Sequence, residues 1–280
     1  MSQEIITFIG EPEVYEIPRP DISHLVTEDD TPVDNIFSEK QMRLLASTLY
    51  SGWTGPSDGR PFVSMANVAL YYALHTPALV PDFLLSLGVT PPAKPIDPET
   101  HSYPKENRSY FVWEYGKPPD LVVEIVSNRK GGELGDKLLD YARAGVGYYI
   151  VFDPMQALGR EYLRIFTRHG NSFRETSERW FPEVDLGVTL WIGPWEEWPP
   201  QQWLRWVDKE GRLIPTSVEA QAAARQQVTA ARQQVTAARQ QVTAAQQESA
   251  EANRRAAEAQ RQREELLAKL RAAGIDPDSI

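Results

Sequence analysis

Three acids and a lysine sit where charged side chains are costly, and acids with a lysine are the groups that metal-assisted phosphate chemistry uses. Glu124 interrupts the otherwise apolar run LVVEIV at residues 121–126, and Asp82 stands inside a second apolar stretch, ALVPDFLLSL. A buried ionised carboxylate is unstable unless a partner compensates it, so acids in two such runs ask for a common explanation. Neighbouring strands would bring Asp82 and Glu124 together. Their repulsion would raise a pKa unless a hard divalent cation, Mg²⁺ or Mn²⁺, lay between them with waters completing its shell. Asp120 precedes Glu124 by four residues, which in a strand puts both on one face roughly 13 Å apart. Lys137 follows on the flank of a helical stripe formed by Leu134, Leu138 and Tyr141. From there its ammonium could polarise a phosphate oxygen or position an attacking water. Each residue also has a plainer reading. Asp82 could begin a turn or strand, Asp120 could cap a strand, Tyr141 could be core, and Glu124 could simply pair with Lys137.

The elements needed to position these groups are legible around them. Ser38-Glu39-Lys40-Gln41 has the form of a capping box, and Met42, Leu45 and Leu49 follow at helical spacing, predicting a helix from Ser38 to about Tyr50. Residues 62–72 and 79–89 read as a strand pair, and the proline-rich stretch 91–104 as a surface loop. Residues 121–126 have the near-continuous apolar pattern of a strand covered on both faces. A helix ending at Gly145 follows, then a buried strand at 148–152 closed by Asp153-Pro154. Residues 162–167 and 172–176 resemble a hairpin, and 188–192 a further strand. This order predicts an α/β or α+β domain with a mixed sheet flanked by helices.

The 280 residues carry a net charge of −10. Of the 29 basic and 39 acidic residues, nine and eight fall after Thr216, leaving the first 216 residues at −11. That balance repels a polyanion at long range, unless cations offset the clustered acids. With no cysteine, disulfides, thiolate catalysis and cysteine-ligated metals are excluded. GxSxG and HExxH motifs and a glycine-rich phosphate loop are missing, and the four histidines show no ligand spacing. No basic, apolar leader and no apolar run of membrane-spanning length is visible, so the expectation is a soluble, unexported, cytoplasmic protein. Ser127, Asn128, Arg129 and Lys130 could bind phosphate or form a solvated loop.

After Trp206 no aromatic residue occurs, and the repeat VTAARQQ places Val228, Val235 and Val242 seven residues apart, with Ala231, Ala238 and Ala245 three further on. This heptad register, Val at a and Ala at d, predicts a long C-terminal helix of coiled-coil type, broken at one a position by Arg263. Association through residues 217–271, with a homodimer favoured or with a helical partner, competes with a solvated Ala/Gln-rich helix.

Taken together, PDLVVEIVS, a basic and glycine-rich loop, ELGDKLLDYARAGVGYYIVFDP, VPDFLLSL and WLRWVDKEGRLIP are similar to the Uma family of restriction-endonuclease-like proteins, within the PD-(D/E)XK nuclease superfamily. The likeness runs from about residue 36 to 215, and the closing LRAAGIDPD also resembles family members. It implies a restriction-endonuclease-like domain at 36–215, after an extended arm at 1–35 and before a heptad-patterned helix and short tail at 216–280. It further implies an endonuclease with DNA as substrate, Asp82, Glu124 and Lys137 as the catalytic group, Asp82 and Glu124 as metal ligands, and Asp120 as an auxiliary acid. One departure stands out: Val126, not lysine, lies two residues after Glu124, so the resemblance assigns the lysine to the following helix as Lys137. A binding or assembly module that keeps the fold without catalysis is the alternative.

Overall fold

The computed structural model describes residues 5–9, 14–18, 21, 22, 25, 35–92, 94–96, 98, 101–127 and 132–272. It divides into two compact units, Met1–Val218 and Glu219–Ile280. Within the first 35 residues, where an extended arm is expected, β1 (Ile5–Ile9) and β2 (Val14–Pro18) pair antiparallel. Helix α1 (Ile36–Gly52) begins two residues before the predicted capping box. Asn35 is its N-cap, and the Asn35 side chain accepts from the Ser38 amide at 2.9 Å. Ser38 therefore sits at the third helical position as the amide being capped, not as the cap.

Strands β3 (Phe62–Ala66), β4 (Leu70–Tyr71) and β5 (Phe83–Leu87) come next. They are followed by β6 (Tyr110–Phe111), the short helix α2 (Val112–Tyr115) and β7 (Leu121–Ile125). Helix α3 (Asp136–Ala144) leads to β8 (Tyr148–Phe152), and the hairpin β9 (Leu163–His169) and β10 (Ser172–Thr176) follows. These build a six-stranded sheet in the order β10-β9-β8-β7-β5-β3. Only β7 and β8 run parallel, because α3 carries the chain back between them; the other neighbours are antiparallel. Gly145 closes α3 at φ +90°, a left-handed conformation that favours glycine. Two residues on, Gly147 lies where a Cβ would come within 2.8 Å of the Asp120 carbonyl. The tight α3–β8 turn needs both.

Both faces of the sheet are covered, as the apolar runs require. On one face Leu121, Val123, Ile125, Ile150 and Phe152 meet Met42, Leu45 and Leu49 of α1. The same cluster takes in a second sheet of β11 (Trp180–Phe181), β12 (Leu186–Trp195) and β13 (Trp198–Val207), through Leu186, Val188, Leu204 and Trp206. Gln41 ties α1 to β13 by exchanging two 2.9 Å hydrogen bonds with the Leu204 backbone. On the opposite face Leu84, Val122, Tyr149 and Val151 pack with Leu134, Leu138, Tyr141 and Ala144. Strand alternation therefore directs Glu124 toward the α3 side.

Helix α4 (Ser217–Ala272) is continuous over 56 residues with none buried. In its repeats the hydroxyls of Thr229, Thr236 and Thr243 donate to the carbonyls of Arg225, Arg232 and Arg239, one turn back. The closing GIDPD of the family-like LRAAGIDPD segment lies outside the described residues.

Candidate active site

The register of β5 on β7 pairs Phe83 with Val123 and Leu84 with Val122. One step further sets Asp82 opposite Glu124, on the face that α3 covers, where side chains of facing residues are neighbours. Asp82 is anchored in that position, since its Oδ2 accepts the Ile125 amide at 2.6 Å. The expectation that adjacent strands join these two acids is met.

Glu124 is 2% exposed. Its Oε2 accepts from Lys137 Nζ at 2.9 Å and its Oε1 from the Tyr141 hydroxyl at 2.6 Å. Lys137 and Tyr141 are one turn apart on α3, so a single helix face delivers both donors. Tyr141 is accordingly both core and site. Burial pushes the Glu124 carboxyl up to about 7, and the Asp82 charge adds to the rise, against the lowering influence of Lys137 and Tyr141. For Lys137, burial opposes the ammonium, but Glu124, Glu133 and Asp82 outweigh it and the pKa is raised. The Tyr141 hydroxyl is held well above its ordinary value, first by burial and then by the Glu124 charge, so it stays a donor.

Asp120 is not brought to this cluster. It lies before the first residue of β7, where its Oδ2 takes the Leu87 amide at 2.7 Å and Lys117 Nζ at 2.5 Å. That arrangement fastens the loop before β7 to the end of β5. Asp153, another buried acid at a strand end, is committed to the amides of Ala157 and Leu158. Ser127 lies two residues past the end of β7, whereas Asn128, Arg129 and Lys130 lie outside the described residues. One acid that the sequence reading passed over belongs with the cluster: Glu133, buried in the turn before α3, has Oε1 3.8 Å from Lys137 Nζ. Its spacing of four residues from Lys137 is the signal that could have found it.

Of the side chains in this cluster, Asp82 and Glu124 are the ones that could hold a hard cation. Two opposed carboxylates, one of them destabilised in its charged form by burial, gain from a divalent ion. Mg²⁺ commonly binds through one or two carboxylates and fills its shell with water or phosphate oxygens. Among the described residues, no group of three or more His, Asp or Glu could hold a metal. Asp82 and Glu124 would therefore need those outside oxygens. No helix is long and apolar enough to cross a membrane among the described residues.

Compared with known proteins, residues 28–187 match the family model Uma2, described as "Putative restriction endonuclease". Neither the curated proteins nor the solved structures give a match.

Proposed function

The chain belongs to the Uma2 family, whose model covers more than half of it, and from that premise we propose that it is a metal-dependent endonuclease hydrolysing DNA phosphodiester bonds, with Asp82, Glu124 and Lys137 as its working residues. The observation that carries this reading is the convergence of Lys137 and Tyr141 on a buried Glu124 that faces Asp82 across two paired strands. Asp82 and Glu124 would hold Mg²⁺ or Mn²⁺. When bound, such an ion neutralises phosphate charge and lowers the pKa of water.

The protein's own groups have distinct tasks. The Ile125 amide orients Asp82, and the Tyr141 hydroxyl orients Glu124. The Lys137 ammonium, 33% exposed in its side chain, can reach a phosphate oxygen or the attacking water. In hydrolysis water adds to phosphorus, the bond to one sugar oxygen breaks, and that oxygen takes up a proton. A charge of −11 over the first 216 residues makes cations a condition for approaching DNA. A cytoplasmic location belongs to this reading.

The purified protein should cut or nick DNA in Mg²⁺ or Mn²⁺, and Glu124→Ala should lower the rate by about a hundredfold or more. Undiminished cleavage by that variant would remove the assignment. A second reading, a non-catalytic module with the same fold, is favoured by the Lys137–Glu124 pair, which satisfies both groups without a ligand. Calorimetric titration separates the two, since only the nuclease reading expects Mn²⁺ binding that depends on Asp82 and Glu124.

A further inference from the structure

Glu133 is held in place by backbone contacts from two elements. Its carbonyl accepts the Tyr149 hydroxyl of β8 at 2.9 Å, and the preceding carbonyl, that of Gly132, takes the amides of Gly135 and Lys137. The side chain is 7% exposed. Its Oε2 is buried without a hydrogen-bond partner, while Oε1 looks toward Lys137 Nζ from 3.8 Å. A buried carboxylate oxygen left unpaired is unfavourable. Lys137, with a flexible stem and three donors, is closer to Glu124 at 2.9 Å. A small shift of the ammonium would exchange one glutamate for the other.

We propose that Glu133 is a positioning residue that gives Lys137 a second seat: the ammonium rests on Glu124 in the absence of a cation and passes to Glu133 when a divalent cation takes Glu124. The inference rests on the metal-dependent reading above. A cation and an ammonium on one carboxylate repel each other. Transfer to Glu133 relieves that repulsion, satisfies the unpaired oxygen, and keeps the lysine beside the site.

Two measurements on the full chain test this. In metal-free protein, a double-mutant cycle of Glu133→Gln and Lys137→Met is followed by denaturant unfolding, once with Glu124 present and once in Glu124→Gln. With Glu124 present the coupling should change the folding equilibrium by about twofold, and in Glu124→Gln by about tenfold, because the ammonium then has only Glu133. Equal coupling in both backgrounds would overturn the proposal. In Mn²⁺ titration, Glu133→Gln should weaken binding about tenfold when Lys137 is present and leave it unchanged in Lys137→Met. Weakening that persists in Lys137→Met would make Glu133 a ligand in its own right and overturn the positioning role, as would no weakening in either background. Absence of Mn²⁺ binding by the wild type would overturn the metal-dependent reading and the cation-driven transfer together. The unfolding cycle distinguishes that failure: coupling that grows in Glu124→Gln leaves Glu133 as the second seat.

Discussion

Glu124 concentrates the energetic conflict of the site, because its carboxyl is enclosed by apolar strand and helix surface while two donors pull it toward ionisation. Burial prevails, and the folded-state pKa of about 7 lies above the ordinary 4.5. Between these values the folded protein holds a proton that the unfolded chain releases. The stabilising contribution is thus complete below about pH 4.5 and lost as pH rises through about 7. A shift of this size corresponds to roughly 3 kcal/mol. Metal-free Glu124→Gln should therefore unfold at higher denaturant than the wild type at pH 8, with the difference shrinking as pH falls and vanishing below about pH 4.5. Parallel profiles for the two proteins across that range would mean that burial does not govern this group. Glu124 was legible because a carboxylate in an apolar strand has few explanations. Glu133 was not, because its neighbours Gly131, Gly132 and Gly135 give it the signature of a solvated turn, and only the three-dimensional return of β8 through Tyr149 buries it.

At the scale of elements, the β7–α3–β8 unit follows directly from its pattern: two near-continuous apolar runs, an amphipathic helix between them, and Gly145 where the helix must stop. The second sheet was harder to read. Only residues 188–192 were expected as strand there, whereas β12 extends from Leu186 to Trp195 and pairs with β13 at Gln201–Val207 and, past an irregularity, at Trp198. Pro199 and Pro200 in β13 lack amide donors, which argues against a strand in sequence, yet β13 is an edge of its sheet and tolerates them. The start of α1 was misplaced for a local reason: Asn35 and Ser38 are both good caps, and only the conformation of Asn35, extended at φ −165°, decides between them. Asp120 belongs to this scale as well. Strand alternation suggested that Asp120 shares a face with Glu124, but period alone could not foresee the competing claims of Lys117 and the Leu87 amide. Asp120→Asn should cost about 1–3 kcal/mol of stability by weakening those bonds, while leaving Mn²⁺ affinity within about twofold. A large loss of Mn²⁺ affinity with unchanged stability would return Asp120 to the site.

For the whole molecule, the question is what a 56-residue helix with no buried residue contributes. Val228, Val235 and Val242 are 52%, 53% and 56% exposed, and their seven-residue spacing aligns them on a single stripe with the alanines three positions on. Long helices in proteins draw most of their stability from burying an apolar face, and this face is narrow because alanine contributes little area. We infer pairing of two copies along residues 217–271 as the arrangement that would cover the stripe. Sedimentation equilibrium of the full chain should then give a dimer that dissociates at micromolar concentration, with Val235→Asp, which places a charge at the middle of the seam, shifting it to monomer and lowering the helical circular dichroism signal. Asp82, Glu124 and Lys137 lie outside the helix, so Mn²⁺ binding per chain should be unaffected by the substitution. A wild-type chain that sediments as a monomer at every concentration would instead assign α4 the role of a solvated helix.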